Sequence, residues 1–100
     1  MVWQGNLMAR EPNPQDLFEK EIIDNPDHYN VVLFRPLQDS RVGMSFDDLS
    51  MAIAYGKAVL DEPNRVRAAM IYAIDKNNHH ALVGTINRFD KTFKKVEQRV

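Results

Sequence analysis

The chain has 100 residues and a mass of 11.6 kDa, with 44% hydrophobic and 27% charged side chains, which suits one folded domain rather than a disordered linker. It contains no cysteine, which excludes disulfide frameworks, thiol nucleophiles and cysteine-held zinc or iron–sulfur sites; no apolar run nears the roughly 18 residues of a membrane span. A net charge of −1 points by itself to neither nucleic acid nor an acidic partner.

Residues 1–12 read as a flexible lead-in to a single α+β domain over residues 13–100. MVWQGNLMAREPN lacks the charged start, apolar middle and small-residue exit of a signal peptide, so a cytoplasmic protein is expected. Met8 is a second plausible start, and Trp3 is either idle or an anchor for a partner.

The first helix is predicted to begin at Asn13-Pro14. Asn13 suits the N-cap, Pro14 the first helical position, and Asp16 favours the dipole three residues past the cap. Leu17, Phe18, Ile22 and Ile23 form its apolar stripe, and Asn25-Pro26 stops it. Tyr29 to Pro36 follows as a strand, with Tyr29, Val31 and Leu33 on one face and Val32 and Phe34 on the other. LQDSRVG reads as loop.

A second helix is predicted after Ser45 as N-cap, with Asp48 at the capping-box position. Phe46, Leu49, Ile53, Gly56 and Leu60 recur at three-four spacing, and Gly56 inside that stripe signals close approach to a sheet. Asp61-Glu62-Pro63-Asn64 ends the helix, although two acids there oppose its dipole. Arg65 to Asp75 and His80 to Arg88 then form a β-hairpin around Lys76-Asn77-Asn78. In its first strand Val66, Ala68, Met70, Tyr72 and Ile74 share a face. Ala69, Ile71 and Ala73 on the opposite face need cover from the first helix, the tail or a second copy. In the second strand Leu82, Gly84 and Ile86 oppose Ala81, Val83 and Thr85. Phe93, Val96 and Val100 fit a short C-terminal helix, with a strand as the alternative. The expected architecture is a β-α-β-β core: a three-stranded sheet, one central helix packed on it, and short N- and C-terminal helices. Whether the first strand pairs parallel to the second, or antiparallel to the third in a split β-α-β, stays open.

Little here points to catalysis. His79 and His80 are adjacent, so on a strand they face apart and clamp one metal poorly. The run from Asp75 lacks the glycine and the final glutamate of a calcium loop. Four scattered glycines allow neither a P-loop nor a dinucleotide fingerprint. The carboxylate pairs Asp47-Asp48 and Asp61-Glu62 sit at helix ends, where capping or solvation accounts for them. No metal and no cofactor are expected.

The charge is placed unevenly. Residues 1–64 carry five basic and eleven acidic side chains, and residues 65–100 carry eight and three. Either the two poles neutralise each other in the fold, or they steer a partner or bring two copies head to tail. The candidate partner-binding residues are Arg88, Lys91, Lys94, Lys95 and Arg99, interleaved with Phe89 and Phe93. A solvated basic face, an acidic protein partner and nucleic acid are the three readings of that set. The expected function is a non-enzymatic protein-binding module, as inhibitor, adaptor or accessory subunit, of a kind that suits a bacterial or phage protein. It is expected to form a homodimer, because the sheet has more apolar face than one helix covers. The alternative is a nucleic-acid-binding protein using the basic C-terminal segment.

Overall fold

The computed structural model describes residues 13–38 and 40–97. Helix α1 (Pro14–Asp24) starts as predicted and more tightly: the Asn13 side chain accepts from the Asp16 N–H while Asp16 accepts from the Asn13 N–H, a complete capping box. Strand β1 (His28–Phe34) follows, with Val31 fully buried. Helix α2 (Leu49–Asp61) and the antiparallel hairpin of β3 (Ala68–Ile74) and β4 (His80–Asn87) are also present. Asn78 adopts φ 67° in the hairpin turn, a conformation Asn tolerates better than most residues.

Among the described residues the sheet has five strands, not three. LQDSRVG is not all loop: Arg41–Phe46 forms β2, an edge strand antiparallel to β1. Val42, Met44 and Phe46 alternate in sequence, but Gly43 and the polar residues around them hide a period so short, and a bulge opposite Val31/Val32 breaks it between Val42 and Met44. Ser45 therefore lies in β2, where its hydroxyl donates to Asn30 Oδ1 at 2.6 Å. Asp48 is the N-cap of α2 and makes no side-chain capping bond.

No C-terminal helix forms among the described residues of the tail. Lys91 at φ 53° breaks helical geometry, and Lys94–Lys95 pair with Thr85 and Gly84 as a two-residue strand, β5. Phe93 lies on Gly84, where an added Cβ would sit 2.5 Å from its ring.

The order is β2-β1-β3-β4-β5, antiparallel throughout, so β1 pairs with β2 and, also antiparallel, with β3. Neither expected pairing of the first strand forms, because β2 reverses the chain before α2 and β3 therefore returns opposite in direction to β1. A bulge opposite Ile71/Tyr72 leaves Val83 without a direct partner. It puts Ala81 on the face of Gly84 and Ile86, and Leu82 on that of Thr85, the reverse of what strict alternation predicts for both residues.

Both described helices pack on one face. Ile22 of α1 and Ala52 and Leu60 of α2 share a core with Val31, Ala69, Ile71, Ala73, Ala81, Val83 and Ile86. Gly56, Ala69 and Ala73 keep that side thin enough for close approach: a Cβ on Gly56 would lie 3.1 Å from Ile86 and 3.2 Å from Ala69. The alanine face that needed cover thus receives both helices, and the opposite face receives neither. Among the described residues no helix is long and apolar enough to cross a membrane.

Candidate functional site

The helix-free face is built mainly by the alternate residues of β1, β3 and β4. β1 contributes His28, Asn30, Val32 and Phe34, and the register sets opposite them Ile74, Tyr72, Met70 and Ala68 of β3. β4 continues the rows with His80, Leu82, Thr85 and Asn87. Phe34 is 42% exposed, and Val32, Met70, Tyr72 and Leu82 are half-buried. Ile74 is buried between His28 and His80 in its cross-strand row. Beside it a shallow depression of about 410 Å³ is lined by Asn30, Val32, Tyr72, Ile74, Asn78 and His80. The His80 ring stands edge-on to Tyr72, with centroids 5.5 Å apart. Lys94, opposite Thr85, brings the one fixed charge among the described strand residues of this face, and Asp90 pairs with it at 2.9 Å.

The two ends of the sheet differ in charge. Because neighbouring strands are antiparallel, the end of β1, the start of β2 and the start of β3 coincide. That end gathers Arg35, Arg41, Arg65 and Arg67, which make no ion pair among the described residues. The Arg35 Nε is buried without a hydrogen-bond partner. Arg65 and Arg67 line a hollow of about 220 Å³ with Pro36 and the fully exposed Leu37, itself at φ 63°. The other end carries Asp27 before β1, Asp47 and Asp48 after β2, and Asp75 after β3, against Lys76. Asp27 lies 2.9 Å from the His28 ring. Burial tends to raise the Asp75 carboxyl, but the His79 N–H, the His79 ring and the Asn77 N–H outweigh it and hold the group below its usual range.

The sequence-predicted site residues do not form one patch. Arg88 turns inward: its guanidinium donates to the carbonyls of Val66 at 2.7 Å, Leu60 at 2.8 Å and Glu62 at 3.1 Å, and to Asn64 Oδ1. It caps the last turn of α2 and supplies the positive charge that Asp61 and Glu62 withhold from the dipole. Lys91 pairs with Asp61, and Lys94 pairs with Asp90. Lys95 is exposed in β5. Arg99, like the lead-in over residues 1–12, lies outside the described residues. Val32, Phe34, Met70, Tyr72 and Leu82 were not singled out as a surface from sequence, because which face the helices choose is decided by the small side chains opposite them.

Neither serine hydroxyl of the central region meets a histidine: Ser45 bonds Asn30 and Ser50 bonds Asp48. Among the described residues no three His, Asp or Glu side chains converge as a metal ion would require. No family model, curated protein or solved structure matches this chain.

Proposed function

We propose that the chain is a small non-enzymatic protein-binding module, acting as an inhibitor, adaptor or accessory subunit through the helix-free face of its sheet. The observation that carries this is the apolar set Val32, Phe34, Met70, Tyr72 and Leu82, over which neither described helix is laid. A sheet stabilises a fold by burying its apolar faces, and a contiguous apolar patch left uncovered marks a contact surface. The paired aromatic and amide groups around Tyr72 and Asn30 add the mixed character typical of interface centres.

Capture from a lysate on immobilised wild type and on Met70→Glu with Tyr72→Glu tests this. A protein held in stoichiometric amount by the wild type and lost by the variant is expected; identical capture by both overturns the assignment of the face. Nucleic acid is the second reading, favoured by Phe34 and Tyr72 on an open sheet beside arginines that make no ion pair among the described residues. Binding of a random oligonucleotide at about 150 mM salt, lost on Arg65→Gln with Arg67→Gln, would support it instead.

A further inference from the structure

We propose that the arginine end of the sheet is a binding site for the phosphoryl group of a phosphomonoester, formed by Arg35, Arg65 and Arg67 around the Pro36-Leu37 turn. The site does not depend on what the helix-free face binds.

The fold brings three guanidinium groups to one place and gives them nothing to hold. Phe34 ends β1 opposite Ala68, and the Arg67 N–H donates to the Phe34 carbonyl at 2.9 Å. One step further the same register sets Arg35 against Arg67, and like charges directly opposite repel. Arg65 and Arg67 together line the hollow of about 220 Å³ with Pro36 and Leu37. None of the three side chains makes a hydrogen bond or an ion pair among the described residues. Lys20, Lys91 and Lys94, by contrast, each hold a carboxylate, and Arg88 donates to backbone carbonyls. Arg35 adds a second observation: its Nε is buried without an acceptor. A buried polar atom left unpaired calls for a partner such as a water or an ion. A guanidinium partly withdrawn from water also attracts an anion more strongly than a solvated one does.

The donors select the chemistry. A carboxylate brings one charge and two oxygens in a plane, which a single arginine fork satisfies. A phosphoryl group brings nearly two charges and three oxygens that accept from different directions, so it engages several forks at once. The hollow is smaller than the roughly 300–1,000 Å³ of pockets that enclose a whole ligand, so it suits the charged group alone. Leu37 offers the remainder of the molecule an apolar contact. The Gln38 N–H donates to the Arg35 carbonyl at 3.2 Å and closes a turn in which Leu37 takes φ 63°, a position that favours glycine. A leucine held there and fully exposed is the kind of local strain found at ligand clamps. A nucleic-acid strand fits less well, since it needs a basic track to run along. The other end of the sheet carries Asp27, Asp47, Asp48 and Asp75 against Lys76.

The test is a titration of the full chain with inorganic phosphate near about pH 7.5, where the dianion dominates, at ionic strength held constant with sodium chloride. The arginine Nε–Hε NMR signals report it. Those of Arg35, Arg65 and Arg67 are expected to shift together and saturate with one Kd, while that of Arg88, already engaged, stays in place. Acetate should bind about tenfold more weakly than phosphate. Phenyl phosphate should bind about fourfold more tightly, and Leu37→Gly should remove that gain while leaving the affinity for inorganic phosphate. Arg65→Gln with Arg67→Gln should abolish saturation with the cooperative melt retained, because both residues are exposed. Arg65→Lys with Arg67→Lys keeps the charge without the fork and should bind more weakly than the wild type. Shifts that never saturate, or that survive the glutamine changes, overturn the proposal. Acetate binding as tightly as phosphate overturns the phosphoryl assignment. A thymidine decamer that binds more tightly than phenyl phosphate at equal phosphate concentration overturns the monoester and assigns the arginines to nucleic acid. Asp39 lies outside the described residues; saturation seen only in Asp39→Asn overturns the proposal by giving the arginines to a carboxylate of the chain itself.

Discussion

Arg88 belongs to the structure rather than to the surface, and its four bonds make that measurable. Removing the guanidinium in Arg88→Ala leaves the Leu60 and Val66 carbonyls without their charged donor and the end of α2 without a cation. Charge-assisted bonds of this kind contribute about 1.5–3 kcal/mol, so a loss of about 2–3 kcal/mol is expected in urea denaturation. Arg88→Lys should recover only part of it, since one ammonium cannot fork to Leu60, Val66 and Asn64 together. Asp75 is the other residue whose role is local. Its carboxylate takes the Asn77 and His79 N–H groups and so holds the β3–β4 turn. Its folded value lies below the ordinary 3.8, so the stability it contributes is fully present above that pH and is lost as pH falls through the lowered value. The melting temperature of the wild type should therefore drop more steeply below about pH 4 than that of Asp75→Asn.

At the scale of elements, close contact between helix and sheet is set by side chains that are not there. Gly56→Ala gains about 1 kcal/mol of helix propensity but meets Ile86 and Ala69 at 3.1 and 3.2 Å, so it should be near neutral. Gly56→Leu has no room between α2 and β3 and should cost about 1–3 kcal/mol by thermal melt. The helices and the hairpin were legible because their signals are local: the Asn13-Pro14 start, the stripe through Gly56 and Leu60, and the asparagines between β3 and β4. β2 was not legible, since its alternation spans three apolar residues around a glycine. The tail was misread because Phe93 and Val96 fit a helical spacing equally well, and nothing in the composition shows that Lys91 takes a positive φ. The charge poles were legible only as halves of the chain. Antiparallel pairing regroups them, carrying Arg35 and Arg41 to the basic end and Lys76 to the acidic one.

For the whole molecule the decisive asymmetry is between the two faces of one sheet, and two neighbouring valines report on it. Val31 and Val32 are the same residue type, side by side in β1, paired across to Ile71 and Met70. Val31 is fully buried beneath the helices; Val32 lies half-buried on the helix-free face. Truncating Val31 to alanine removes two methyl groups from a packed core and leaves a cavity, so Val31→Ala should cost about 2–3 kcal/mol at any protein concentration. Val32→Ala removes the same atoms from a surface that the chain's own helices do not cover, so in dilute protein it should cost under about 1 kcal/mol. If a second copy covers that face, the cost of Val32→Ala grows as protein concentration rises, because the lost contact is then part of an association equilibrium. Paired urea titrations at low and high concentration separate these terms. A Val32→Ala cost equal to that of Val31→Ala and independent of concentration would mean that the face is packed within a single chain, which would remove the basis for both the interaction surface and the homodimer expected from the sequence.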